Sequence, residues 1–191
     1  MQKIPTVFVR DFSARPAYVT EQPDPRCRWV LDGEGTPTRK YDGACTALDA
    51  DGRWWARREV KAGGTPPPDY LPLHTDEETG KTVGWEPIEQ SGFARWHAEA
   101  VAHSDLAPGS EGTFELIGPK VNGNPERSEV HRLVAHDTAE RLDVPDRSFA
   151  GIRETVLALA AADGCEGIVF HHSDGRKAKI KARDFGPADP F

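Results

Sequence analysis

The sequence of 191 residues has little cysteine and no long apolar run. Its three cysteines, Cys27, Cys45 and Cys165, lie far apart and form no CxxC pair. This pattern disfavours both a disulfide framework and a zinc knot. No run of 18 apolar residues is present, so no membrane span is predicted. The apolar stretch near the N-terminus is too short for a signal peptide core, and we therefore expect a cytoplasmic protein.

Positive charge is also scarce overall. The chain has 24 Lys and Arg against 31 Asp and Glu, which gives a net charge of −7. An acidic chain is a poor candidate for coating nucleic acid without regard to sequence. A local basic channel remains possible, because residues 176–183 carry five cations: Arg176, Lys177, Lys179, Lys181 and Arg183. The phosphate-loop pattern GxxxxGK[ST] is absent, so that type of nucleotide site has no support.

Short strands separated by turns dominate the predicted secondary structure, since the 18 glycines and 16 prolines disfavour a helical bundle. Apolar patterns and turn signals predict strands in residues 4–9, 29–31, 44–50, 53–60, 113–118, 131–136, 167–171 and 176–181. Helices are expected to begin at Ser91 and Ser148, the second ending at Gly164. Residues 61–87 predict a long surface loop. The sequence therefore favours an α+β fold with mostly antiparallel sheets, as a single domain over residues 1–191 with no separate C-terminal domain.

The cluster Lys40-Tyr41-Asp42-Gly43 offers a candidate nucleophile. A lysine just before a hairpin can face a pocket, and on a strand Asp42 would share its face. A lysine amine attacks only when it is neutral, so nearby cations or a metal ion must favour loss of its proton. A surface lysine beside an Asp-Gly turn is the competing interpretation.

Two acidic residues and one arginine stand out in other strands. Glu115 interrupts the apolar run FELIG, so it should face a polar pocket or solvent. Glu166 opens the apolar strand EGIVF, where an ordinary solvated strand end is the alternative. Arg57 follows the first hairpin, in the segment WWARR.

The strand near the C-terminus has cations on one face. Alternation puts Lys177, Lys179 and Lys181 on one side and Ala178 and Ile180 on the other. Aligned ammonium groups repel one another. Either they protect a sheet edge from aggregation, or a polyphosphate binds to them.

The order of these clusters is more informative than any one of them. KxDG, the arginine after the hairpin, FELIG, EGIVF and KxK follow one another between about residues 36 and 185, with 126 residues from Lys40 to Glu166 and 13 from Glu166 to Lys179. This order resembles the covalent nucleotidyltransferase superfamily of ATP-dependent DNA and RNA ligases and mRNA capping enzymes. The segments WAR and ELIGPKVNGNPE resemble most closely the small RNA ligases of animals and bacteria. The resemblance implies a nucleotidyltransferase (ATP-grasp-like) domain.

The resemblance also implies a role for each matching residue. Lys40 would attack the α-phosphate of ATP and form lysyl-AMP, assisted by Lys179 and Lys181. Glu166 would help to hold Mg²⁺ or Mn²⁺. The residues implied to bind ATP or AMP are Arg57, Glu115, Asp42 and His136, of which His136 occupies the segment where the family places an aromatic ring over adenine.

The implied substrates are RNA ends with a 5′-phosphate and a 3′-hydroxyl. Two alternatives remain open from the sequence: a nucleotidyltransferase that acts on another acceptor, such as DNA or protein, and a non-catalytic nucleotide- or RNA-binding module. Lys120, Asn122 and Asn124 either contact RNA phosphates or serve only as turn residues. The sequence does not indicate an oligomeric state.

Overall fold

The computed structural model describes residues 4–13, 15–77, 79–104, 106 and 110–186, which contain eleven β-strands and three α-helices. The chain divides into two compact units. The central unit is Asp42–Thr138, and the terminal unit combines Ile4–Tyr41 with Ala139–Phe191. Each unit has its own hydrophobic core. The expectation of one domain over residues 1–191 stays a prediction.

The central unit is built on a six-stranded antiparallel sheet in the order β6-β7-β5-β4-β8-β9. Its strands are β4 (Ala44–Leu48), β5 (Trp54–Val60), β6 (Leu71–Thr75), β7 (Thr82–Pro87), β8 (Gly112–Ile117) and β9 (Arg132–Ala135). Helix α2 (Ala94–Ala102) packs on one face of the sheet, where Ala100, Leu116 and Val121 are fully buried. We call the opposite face, which carries Arg57, Thr113 and Glu115, the polar face.

The terminal unit contains two small sheets. Strands β1 (Phe8–Arg10) and β2 (Val19–Pro23) form a hairpin-like pair, and β3 (Thr36–Lys40), β10 (Gly167–His171) and β11 (Lys177–Lys181) form a sheet in the order β11-β10-β3. Helix α1 (Arg28–Leu31) precedes β3, and α3 (Phe149–Asp163) precedes β10.

One face of the three-stranded sheet is apolar and the other is polar. Ile168, Phe170, Ala178 and Ile180 are fully buried in a core that also contains residues of α3. The intervening positions of β11 hold the three lysines, so the predicted alternation is confirmed. Helix α3 also begins and ends as expected: the Ser148 side chain accepts a hydrogen bond from the backbone N–H of Gly151, and Gly164 closes the helix with φ 77°.

Three secondary-structure predictions are wrong. Ser91 ends the short 3₁₀ helix Ile88–Gln90, and α2 begins only at Ala94. Residues 29–31 lie in α1, because Asp24 accepts a hydrogen bond from the Arg26 backbone N–H and starts a helical turn that continues into α1. Residues 61–87 are not one loop, since they include β6 and β7. All five residues of β6 are exposed at the edge of the sheet, and Pro72 interrupts the short alternation of Leu71 and Leu73, which disfavours a strand in the sequence. The α+β class with mostly antiparallel strands is confirmed.

Among the described residues, no helix combines the length and apolar character that crossing a membrane requires.

Helix α2 contains a buried histidine whose protonation should weaken the fold. His97 is 3% exposed, and its ring lies 4.4 Å from the Trp54 ring, centroid to centroid. Burial lowers the pKa of His97 to about 4. The unfolded chain therefore binds this proton first as the pH falls below about 6.5.

Between pH 6.5 and pH 4, the free energy of unfolding should fall in the parent protein by up to about 3 kcal/mol more than it does in His97→Phe. Urea unfolding at several pH values, followed by circular dichroism, measures the difference. The matched control is His103→Gln, because His103 is exposed at the end of the same helix. Parallel pH profiles for the parent and His97→Phe would contradict the assignment.

Candidate functional site

Three side chains from distant parts of the sequence meet at the end of the three-stranded sheet in the terminal unit. Lys40 Nζ donates to Glu166 Oε2 at 2.5 Å, although the residues are 126 positions apart. Lys181 Nζ donates to the other carboxylate oxygen, Oε1. Arg183 lies 3.7 Å from the same oxygen. We call these four residues, Lys40, Lys181, Arg183 and Glu166, the cationic cluster.

The strand register explains this meeting. Gly167 lies opposite Lys40 on β3 and opposite Lys181 on β11, so both lysines flank the strand just after Glu166. A Cβ atom at Gly167 would lie 2.1 Å from the carbonyl oxygen of Ile180. Only glycine therefore fits between the neighbouring strands at this position.

The charges in the cationic cluster depend on one another. The side chains of Glu166, Lys181 and Lys40 are 10%, 14% and 20% exposed. Burial by itself would raise the pKa of Glu166, but the charge of Lys40 and the hydrogen bonds from Lys181 and Lys40 outweigh it and hold this pKa below its usual value. Three cations around one carboxylate leave a positive site suited to an anion such as a phosphate.

Lys179 belongs to the same polar strand face, two residues before Lys181. Its backbone N–H donates to the Pro5 carbonyl, and its carbonyl accepts from the Val7 N–H. The residues around Thr6 therefore pair with the outer side of β11. At Lys179 the strand is not an open edge, which removes the main argument for lysines that merely protect an edge.

The central unit gathers three further predicted residues on the polar face of its sheet. Alternation along the paired strands β4, β5 and β8 puts Arg57 and Glu115 on this face. His136 follows β9, and its ring nitrogen Nε2 lies 2.9 Å from Glu115 Oε2. The backbone N–H of Gly43 donates to the other oxygen, Oε1, at 3.1 Å. Glu115 is thus held from two sides, while Arg57 is exposed.

Asp42 lies beyond the end of β3, so the expectation that it shares a strand face with Lys40 is wrong. Hydrogen bonds fix it in a turn instead: its backbone N–H donates to Glu126 Oε1 at 2.9 Å, and its Oδ1 accepts from Asn122 Nδ2 at 3.1 Å. Asn122 also donates to the Gly43 carbonyl. Asn124 forms two hydrogen bonds with the Ser128 backbone, which is turn chemistry.

The sequence analysis missed two residues of the central polar face. Cys45 lies directly opposite Glu115 in the β4–β8 register. Thr113 lies two residues before Glu115, and its Oγ1 is 2.9 Å from His136 Nδ1. Alternation along β4 and β8 is the signal that places both residues on the face of Glu115, whereas a search for disulfide or CxxC pairs does not reveal a single cysteine.

Several known proteins are similar to this chain in sequence. Residues 100–190 match the sequence model of the RNA ligase 1 family. RNA ligase 1 of Pongo abelii is 26% identical over 172 residues, covering 72% of this chain and 49% of the relative. RNA ligase 1 of Danio rerio is 29% identical over 162 residues, covering 70% and 47%. The chain is similar in sequence to RNA ligase 1. It spans about half the length of the RNA ligase 1 proteins that it matches.

Two solved structures of a Naegleria gruberi RNA ligase are also similar. The ligase with PPi is 15% identical, with a TM-score of 0.37, over 82% of this chain and 52% of that chain. A mutant of the ligase with ATP and Mn is 17% identical, with a TM-score of 0.38, over 94% and 60%.

Removing the carboxylate of the cationic cluster should destabilise the terminal unit. In Glu166→Gln two mostly buried ammonium groups lose their counter-charge, so we expect the free energy of unfolding at pH 7 to fall by about 3 kcal/mol. The lowered pKa means that this stabilisation is complete above about pH 5 and is lost as the pH falls through the folded-state pKa of Glu166. The difference between parent and variant should therefore shrink at low pH.

Urea unfolding at pH 7 and at stepwise lower pH measures this difference. Glu154→Gln is the matched control, because Glu154 is exposed on α3 of the same unit. Equal stability of Glu166→Gln and Glu154→Gln at pH 7 would refute the assigned charge balance.

Proposed function

We propose that this chain is the adenylyltransferase part of an ATP-dependent RNA ligase, with Lys40 as the nucleophile. The observation that carries the proposal is the contact of Lys40 with Glu166 and, through it, with Lys181. These residues match three separate motifs of the ligase pattern, and nothing in local sequence requires them to meet. The relation to RNA ligase 1 supports the same activity.

The first chemical step is adenylyl transfer to Lys40. The neutral amine attacks the α-phosphorus of ATP, a nitrogen–phosphorus bond forms, and the bond to the pyrophosphate oxygen breaks. The proton of the amine leaves to solvent. Lys181 and Arg183 add positive charge beside the amine, which stabilises the negative charge that develops on the phosphate. Lys179 lies on the same face and adds to this stabilisation.

We also assign roles in nucleotide binding to residues on the polar face of the central sheet. Glu115 is an acceptor for ribose hydroxyls, and its orientation is fixed by the Gly43 N–H and by His136. Arg57 carries an exposed positive charge for the ribose or for an incoming 5′-phosphate. We assign the adenine to the side of His136 and give Asp42 a supporting role through its fixed turn.

Glu166 is the residue we assign to a divalent metal ion. Mg²⁺ needs only one or two protein carboxylates when substrate phosphates and waters complete its shell, so a single glutamate beside a phosphate site fits it. Mg²⁺ or Mn²⁺ would supply neutralisation of phosphate charge when bound. A Naegleria gruberi ligase with structural similarity to this chain contains ATP and Mn.

The later steps transfer AMP from Lys40 to an RNA 5′-phosphate. A 3′-hydroxyl then attacks that phosphate, a phosphodiester forms, and AMP leaves. The positive charge of the cationic cluster suits each of these steps, since every one moves negative charge between phosphates.

The first test is the covalent intermediate. Freshly purified, AMP-free parent protein is incubated with ATP and Mg²⁺ and analysed by intact mass spectrometry. We expect one AMP on the parent and on Lys61→Ala, and none on Lys40→Ala. Lys61 is the control because it is exposed in the central unit. Uptake of AMP by Lys40→Ala, or tight ATP binding without an adduct on the parent, would overturn the proposed nucleophile.

The second test concerns the acceptor. RNA with a 5′-phosphate and a 3′-hydroxyl is compared with 5′-hydroxyl RNA and with 5′-phosphorylated DNA, and products are separated on denaturing gels. We expect an adenylated 5′ end and joined product only with 5′-phosphorylated RNA. If adenylation of the protein is intact but no RNA is joined, another acceptor replaces RNA in the proposal.

A further inference from the structure

The polar face of the central sheet brings together a thiol, a carboxylate and an imidazole. The ligand atoms of Cys45, Glu115 and His136 all lie within 4.8 Å of one another. Each of the three residues is partly or mostly buried, with the Glu115 and His136 side chains 11% and 22% exposed. The group is reachable from solvent and protected enough to hold an ion.

The sheet fixes this arrangement through its register. Cys45 on β4 is the direct partner of Glu115 on β8. The His136 backbone N–H donates to the Thr113 carbonyl, so the ring stands beside β8 as well. Two paired strands and the residue that follows β9 therefore carry the three ligands.

One sulfur, one nitrogen and one oxygen ligand together favour a metal ion of intermediate softness that binds sulfur. Zn²⁺ binds Cys sulfur at about 2.3 Å, His nitrogen at about 2.0–2.1 Å and carboxylate oxygen at about 2.0–2.2 Å. In a tetrahedron these bonds place ligand atoms about 3.3–3.6 Å apart, and His136 Nε2 and Glu115 Oε2 are already 2.9 Å apart. Small side-chain rotations suffice. Mg²⁺ and Mn²⁺ prefer oxygen ligands and gain little from the thiol.

Neighbouring groups orient two of the ligands. Without an ion, His136 Nε2–H donates to Glu115 Oε2. When an ion binds, the ring proton moves to Nδ1, where the Thr113 hydroxyl 2.9 Å away can accept it, and the lone pair of Nε2 then faces the ion. The Gly43 N–H holds Glu115 Oε1, so Oε2 is the oxygen left for an ion.

We propose that Cys45, Glu115 and His136 form a Zn²⁺ site with three protein ligands and one open position, oriented by Thr113. Binding releases the thiol proton of Cys45 to solvent. Because the proposed function assigns Glu115 and His136 to the nucleotide, bound Zn²⁺ excludes ATP from the polar face and inhibits adenylation. This last consequence rests on the proposed function, whereas the metal site itself does not.

The direct test titrates Zn²⁺ into the full chain, reduced with a phosphine, in competition with a chromogenic zinc chelator. We expect one Zn²⁺ per parent chain, at least tenfold weaker binding by Cys45→Ser and by His136→Gln, and about 10–100-fold weaker binding by Thr113→Val. Cys27→Ala and His74→Gln are the controls, since Cys27 is buried in the terminal unit and His74 is exposed on β6. Both controls should match the parent.

Co²⁺ provides a second readout on the unaltered parent, independent of whether the variants fold. A sulfur-to-cobalt charge-transfer band is expected when Co²⁺ is added, and Zn²⁺ should abolish it. Absence of this band, or unchanged Zn²⁺ affinity in Cys45→Ser and His136→Gln, would overturn the site.

Inhibition is measured separately, as the fraction of lysyl-AMP formation lost when one equivalent of Zn²⁺ is added to the parent and to Cys45→Ser in excess Mg²⁺. A smaller loss in Cys45→Ser supports the inhibitory role, and an equal loss contradicts it. If the parent forms no lysyl-AMP at all, the proposed function fails while the zinc titration still decides the metal site.

Discussion

The terminal unit depends on one carboxylate placed between two lysines. Glu166 balances Lys40 and Lys181 where β3, β10 and β11 lie side by side, with Gly167 leaving the strands room to approach. Without the carboxylate, the strand register would hold the Lys40 and Lys181 ammonium groups close together, mostly buried and without a counter-charge. The pairing that stabilises the sheet therefore also concentrates positive charge around Glu166. In the proposed function, a phosphate binds to this charge when Glu166 changes its hydrogen-bond partners. Stability and proposed chemistry share the same three side chains.

The polar face of the central unit holds its carboxylate with different hydrogen-bond partners. Its carboxylate, Glu115, is held by a backbone N–H and a histidine rather than by lysines. The backbone N–H fixes the direction of the carboxylate without adding charge, which suits the proposed role of Glu115 as an acceptor for ribose hydroxyls. The same arrangement leaves a sulfur atom on the adjacent strand within reach. The proposed ribose site and the proposed Zn²⁺ site therefore share Glu115 and would compete.

The sequence predicts the parts of this protein that local patterns control. The boundaries of α3 follow from a serine cap and a left-handed glycine, and the lysine face of β11 follows from alternation. Helix α1 was missed because a side-chain cap outweighed apolar residues typical of a strand. Strand β6 is not predicted because a proline interrupts its short alternation of Leu71 and Leu73. The meeting of Lys40 with Glu166 followed only from resemblance, since pairing between strands 126 residues apart leaves no local signal.

The acidity of the chain does not oppose phosphate binding at the cationic cluster. At physiological ionic strength, charges separated by more than about 8 Å are largely screened, so the net charge of −7 acts mainly on distant partners. Within the cluster, three cations face a single carboxylate, and partial burial weakens the screening. The local field is positive although the whole chain is negative. Overall composition therefore argues against coating nucleic acid along its length, while the strand register concentrates positive charge at one place, where the proposed polyphosphate or RNA end would bind.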